Sequence, residues 1–181
     1  MKIAIHNSPN SFSDMWISYC KKNNVDYKIV NVYDSDIIRQ LSDCDALMWH
    51  HAHNDYRDCL FAKQLIFTLN LIGKRTIPSV YSDWHFDDKL AQKYALEAIG
   101  APLINTYVFY DKKTALEWIE KTTFPKVFKT RCGAGSSNVR LVENKDCAKK
   151  LVKRAFSVKG FTCQDYSNLV GISFKKILEG K

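Results

Sequence analysis

The sequence predicts an α/β protein: a three-layer, open, mainly parallel sheet over residues 1–80, a small α+β lobe over 81–160, and a connector over 161–181. Two observations lead to this reading. Through residue 80, short apolar runs of strand character alternate with segments of helical periodicity across short loops, as in a parallel sheet covered by helices. Beyond it the order changes to helix, strand, helix, then two strand-like runs joined by a small-residue loop, then a last helix. Of the 181 residues, 46% are hydrophobic and 25% charged, which suits a folded core and sets aside disordered and collagen-like classes.

In chain order, residues 2–6 read as a buried strand and residues 7–11 as a loop by composition. Ser13 is placed to cap a helix through about Lys22, with Met15, Trp16, Tyr19 and Cys20 at helical spacing. Residues 27–32 suit a second strand, 36–41 a short helix and 46–49 a third strand. Leu60, Phe61, Leu65, Phe67, Leu69 and Ile72 mark a long helix over 56–71, stopped by Gly73, and 76–81 a fourth strand. In the second region a helix follows Asp87-Asp88, either of which can cap it. Residues 106–110 read as a strand, 111–119 begin a helix, and 146–155 form another.

The run Phe124-Pro125-Lys126-Val127-Phe128-Lys129-Thr130-Arg131-Cys132-Gly133-Ala134-Gly135-Ser136-Ser137-Asn138 is the richest in chemistry. Gly133, Ala134, Gly135, Ser136 and Ser137 offer backbone N–H donors that a phosphate can approach closely, and Lys129 and Arg131 bring opposite charge. No Gly-Lys-Ser/Thr follows, so this is not a Walker loop. The apolar residues 139–142 continue as strand rather than helix, so the dinucleotide fingerprint and its helix dipole are also excluded. Asn138 suits a turn with positive φ.

The same loop stands in register with Asp88-Lys89 opening a helix that closes on Gly100-Ala101-Pro102, and with Pro125-Lys126-Val127-Phe128-Lys129 before it. In this order the motifs resemble the ATP-grasp superfamily, over about residues 80–160. The resemblance implies a Rossmann-like pre-ATP-grasp domain over 1–80 and the ATP-grasp N-terminal lobe over 81–160. It implies ATP as ligand, with Lys89 and Lys129 reaching its phosphates and the loop from Gly133 to Asn138 closing over them. It also implies ligase chemistry, in which ATP converts a carboxylate to an acyl phosphate that a nucleophile attacks. Such proteins continue into another lobe that holds adenine and magnesium. Beyond residue 160 only Asp165 and Glu179 are acidic, so Mg2+ is expected only with that lobe and this chain alone is expected to be inactive. A non-catalytic nucleotide-binding or scaffolding module is the alternative.

The net charge of +8 is uneven, with nine Lys/Arg against eight Asp/Glu in residues 1–79 and sixteen against seven in 111–181. A basic half that carries the loop fits a phosphate ligand. Without an arginine-rich tract interleaved with aromatics, nucleic acid ranks below it. His50, His51 and His53 follow the third expected strand, where substrate groups gather in parallel sheets. Neighbouring histidines point to opposite faces, and no ligand set stands nearby beyond Asp55, so no metal is assigned. Six scattered cysteines without a Cys-x-x-Cys pair, and no signal peptide or membrane span, lead to an expectation of reduced thiols in a cytoplasmic protein.

Overall fold

A computed structural model describes residues 1–161 except Asn54 and Ser137. The expected connector, with Asp165 and Glu179, lies beyond Phe161, outside the described residues. The chain divides into two compact units, Met1–Phe86 and Asp87 onward.

The first unit holds β1 (Ile3–His6), α1 (Phe12–Lys22), β2 (Tyr27–Val30), α2 (Ile37–Gln40), β3 (Ala46–Met48), α3 (Tyr56–Leu71), β4 (Arg75–Ile77) and α4 (Val80–Asp83). The four strands are parallel, in the order β2-β1-β3-β4. Alternation along the pleat sends Ala4 and Leu47 to one face, where Ile37 and Leu41 from the α2 region and Ala62, Ile66 and Leu69 of α3 close the core. Their apolar side chains, at most 9% exposed, are the main source of stability in this unit. The other face is thinner: α1 packs against β1 and buries Cys20 and Ser13.

The second and third strands end at Val30 and Met48, one or two residues short of expectation, and three larger differences have physical causes. Ser11, not Ser13, caps α1 by accepting from the Ser13 N–H, while Ser13 turns inward to donate to the Ser8 carbonyl at 2.9 Å. The fourth strand ends at Ile77, because Pro78 has no N–H for the ladder and Ser79 caps α4 immediately after it. Residues 106–110 form no strand: among the described residues they have no ladder partner, and the Tyr107 and Phe109 rings instead pack on Trp118 at 4.8 and 5.1 Å.

The second unit contains α5 (Lys89–Ala98), α6 (Lys112–Lys121), β5 (Lys126–Phe128), β6 (Arg140–Val142) and α7 (Lys145–Ala155). β5 and β6 pair antiparallel, with Val127 opposite Leu141 and Phe128 opposite Arg140. Two strands alone are marginal in water. Phe128 and Val142 therefore pack with Leu116, Trp118 and Ile119 of α6 and Ala148, Leu151 and Val152 of α7, while Val127 and Leu141 face outward.

At the end of β1, burial pushes the His6 imidazole below its ordinary value, and its Nδ1 accepts from the Val32 N–H at 3.3 Å. The folded state therefore prefers neutral His6, whereas the unfolded chain takes up a proton near pH ~6.5. Stability from this residue is complete above that value and falls as pH drops toward the lower folded value. Thermal melts from pH 7 to 5 should show a steeper loss for the native chain than for His6→Asn; equal slopes would remove His6 as the cause.

Candidate functional site

The Gly-rich loop connects β5 to β6, and its backbone needs the small residues found there. Gly133, Gly135, Ser136 and Asn138 all have positive φ, between 57° and 109°. Glycine takes this region freely and Asn tolerates it, so the expected turn at Asn138 is present.

The start of the loop is held by three consecutive residues at the head of α5. Asp88 caps the helix through Oδ1, accepting from Leu90 and Ala91 N–H at 3.0 Å each. Its other oxygen accepts from Arg131 through Nε at 3.0 Å and through Nη2 at 2.5 Å. The Arg131 guanidinium, with the cap amides, holds the Asp88 carboxyl below the usual carboxylate range. Lys89 donates its backbone N–H to the Arg131 carbonyl at 2.9 Å and its ammonium to the Gly133 carbonyl at 2.6 Å. The Gly133 N–H in turn donates to Asp87 Oδ1 at 2.7 Å. Both backbone groups of buried Gly133 are thus taken by side chains 44 and 46 residues away.

Of the residues named from the sequence, the structure brings together Lys89, Arg131 and Gly133. Ala134, Gly135 and Ser136 follow as the exposed part of the loop, Asn138 is half-buried, and Ser137 lies outside the described residues. Lys129 sits just past β5, exposed and without a hydrogen bond or ion pair to the described residues. Among the described residues Cys20 and Cys44 are buried free thiols and Cys147 an exposed one.

Asp87 is the residue that reading the sequence missed. Its signal was the doubled acid before Lys89, since one carboxylate suffices to cap a helix. Asp87 itself has φ +51°, an orientation uncommon for a residue other than glycine.

The histidines lie in the first unit, beyond the end of β3. His51 and Asp83 are paired at 2.7 Å with side chains 4% and 2% exposed, close but out of line for a hydrogen bond. Asp58 accepts from Tyr33 Oη and from the Ala52 N–H at 2.7 Å. Burial, then the bond to Asp58, pushes the Tyr33 hydroxyl well above its ordinary value. His51 and His53 meet Phe86 at ring distances of 4.5 and 4.4 Å, and His50 meets Phe12 at 4.5 Å. The three imidazoles thus pack on aromatic rings rather than converging on an ion, and among the described residues no group of three His, Cys, Asp or Glu could hold a metal. No described helix is long and apolar enough to cross a membrane.

This architecture, a four-stranded parallel sheet followed by a small antiparallel pair with helices, is a partial ATP-grasp-like fold. Two solved structures share it. One is a RimK domain protein ATP-grasp from Sphaerobacter thermophilus DSM 20745, at TM-score 0.60 and 16% identity, matched over 84% of this chain and 59% of that one. The other is N5-carboxyaminoimidazole ribonucleotide synthetase from Thermotoga maritima, at TM-score 0.59 and 20% identity, over 88% of this chain and 44% of that one. The chain spans about half the length of these proteins. No protein-family model matches the sequence, and no curated protein is similar to it in sequence.

Proposed function

We propose that the chain is the N-terminal part of an ATP-dependent ligase of the ATP-grasp type, with residues 1–80 as pre-ATP-grasp domain, 81–160 as the first ATP-grasp lobe and 161–181 as connector. The observation that carries the reading is the Lys89 ammonium on the Gly133 carbonyl, a cation at the start of the small-residue loop. The fold match supports the same assignment.

The residues suit a triphosphate. Lys89, Lys129 and Arg131 would supply charge, and the amides of Gly133, Ala134, Gly135, Ser136, Ser137 and Asn138 donors, the two kinds of group a polyphosphate requires. ATP would contribute the phosphoryl group that activates a carboxylate. A further lobe of the kind such ligases carry would bring Mg2+ and the adenine contacts. A second reading, a non-catalytic module, draws on the closed set of bonds around Gly133, which is complete without a ligand.

Lys129 is the informative position for a test, because it makes no tie within the described fold that its removal would break. In a titration of the 15N-labelled chain with MgATP, the loop amides should shift, and Lys129→Ala should weaken the affinity by about tenfold or more, the value of one charged hydrogen bond. Unshifted loop amides, or an affinity indifferent to Lys129→Ala, would rule the nucleotide reading out. Strong loop shifts without turnover after fusion to a further lobe would favour the module.

A further inference from the structure

We propose that Asp87 is a built-in competitor for phosphate: its carboxylate occupies the Gly133 amide and keeps the loop latched until a polyphosphate displaces it. This rests on the nucleotide reading above and concerns the regulation of the same site.

The geometry is that of an anion already bound. A carboxylate oxygen sits 2.7 Å from the Gly133 nitrogen, where a phosphate oxygen would accept the same proton. Lys89 is engaged in the same clasp, its ammonium 2.6 Å from the carbonyl of the same glycine. Two of the groups best suited to phosphate are therefore occupied by the protein itself. The clasp also has a defined anchor, since Asp88 ties Arg131 two residues upstream. An incoming polyphosphate must take the Gly133 N–H from Asp87 and draw Lys89 off the carbonyl, which releases Gly133 from the head of α5. Apparent affinity is then lowered by the fraction of molecules held latched. A charged hydrogen bond of this kind corresponds to about a tenfold bias or more.

The backbone at Asp87 permits a clean test. At φ +51° glycine is unstrained and Asn is well tolerated, so Asp87→Gly removes the carboxylate without a clash, and Asp87→Asn keeps the shape while removing the charge. The probes are MgATP and inorganic tripolyphosphate, titrated into the 15N-labelled chain, together with hydrogen exchange at the Gly133 amide without ligand. Asp87→Gly should bind tripolyphosphate about tenfold more tightly than the native chain, with Asp87→Asn between them, and should speed exchange at the Gly133 amide by a similar factor. Tighter binding with unchanged exchange would mean that only charge repulsion was relieved, and would overturn the latch. So would an affinity that stays equal or falls while the native chain still binds, leaving the nucleotide reading standing. If neither probe moves the loop amides in any of the three proteins, the nucleotide reading itself falls, and the latch with it.

Discussion

Asp83→Ala should destabilise the first unit by about 3–5 kcal/mol, the usual cost of removing one partner from a buried pair. Asp83 is 2% exposed and its Oδ1 lies 2.7 Å from His51 Nε2, whose side chain is 4% exposed, so the two polar groups face each other away from solvent although out of line for a hydrogen bond. The pair ties the segment after β3 to α4, and the His51 ring also packs edge-on against Trp49 and Phe86. For a unit of this size the melting temperature should drop by well over about 10 °C, at roughly 4–8 °C per kcal/mol. Replacing both residues with apolar ones of similar volume should recover most of the loss, because the cost lies in stranding one polar group rather than in lacking the pair. A double-mutant cycle that gives a coupling below about 0.5 kcal/mol would show that the two side chains are neighbours without consequence.

Asp88→Ala should cost the second unit about 1.5 kcal/mol, combining a lost helix cap of about 1 kcal/mol with about 0.5 kcal/mol from the lost charged partner of Arg131. The cap is the larger share: Arg131 is 67% exposed, and an exposed guanidinium recovers much of its interaction from water. Asp88→Asn should therefore retain most of the stability, since its side-chain oxygen can still accept from Leu90 and Ala91. The pH dependence reports what the charged form of Asp88 contributes through both sets of partners. Arg131 and the cap amides hold the Asp88 carboxyl below its ordinary value of about 3.9, so the stabilisation is complete above that value and is lost as pH falls toward the lower folded value. Urea midpoints measured between pH 6 and 2 should fall less steeply for Asp88→Asn than for the native chain. Parallel slopes would show that neither Arg131 nor the cap amides hold the carboxylate form of Asp88 in the fold.

Local chemistry made much of this protein legible from its residues. The long helix was readable over its full span because Leu65 and Leu69 repeat at helical spacing before Gly73, which takes φ +76° just after the helix. The small-residue loop was readable because Gly133, Gly135 and Asn138 are residues that tolerate the backbone they adopt. Alternation of strand and helix up to residue 77 was enough to indicate a parallel sheet, since each element must bury one face against the next.

What stayed hidden depended on partners distant in sequence. Residues 106–110 have the composition of a strand, but a strand exists only with a ladder partner, and their aromatic rings pack on Trp118 instead. The sequence sets His50 and His51 on opposite faces beyond the third strand without naming what either meets, and folding sends one ring against Phe12 and the other to Asp83. Asp87 and Asp88 were interchangeable as caps in the sequence. Only the tertiary structure divides their work, giving Asp88 to the helix and Arg131 and Asp87 to the Gly133 amide. A residue's own preferences fix its local backbone, whereas the partner of a charge is set by whichever distant segment the fold delivers within about 3 Å of it.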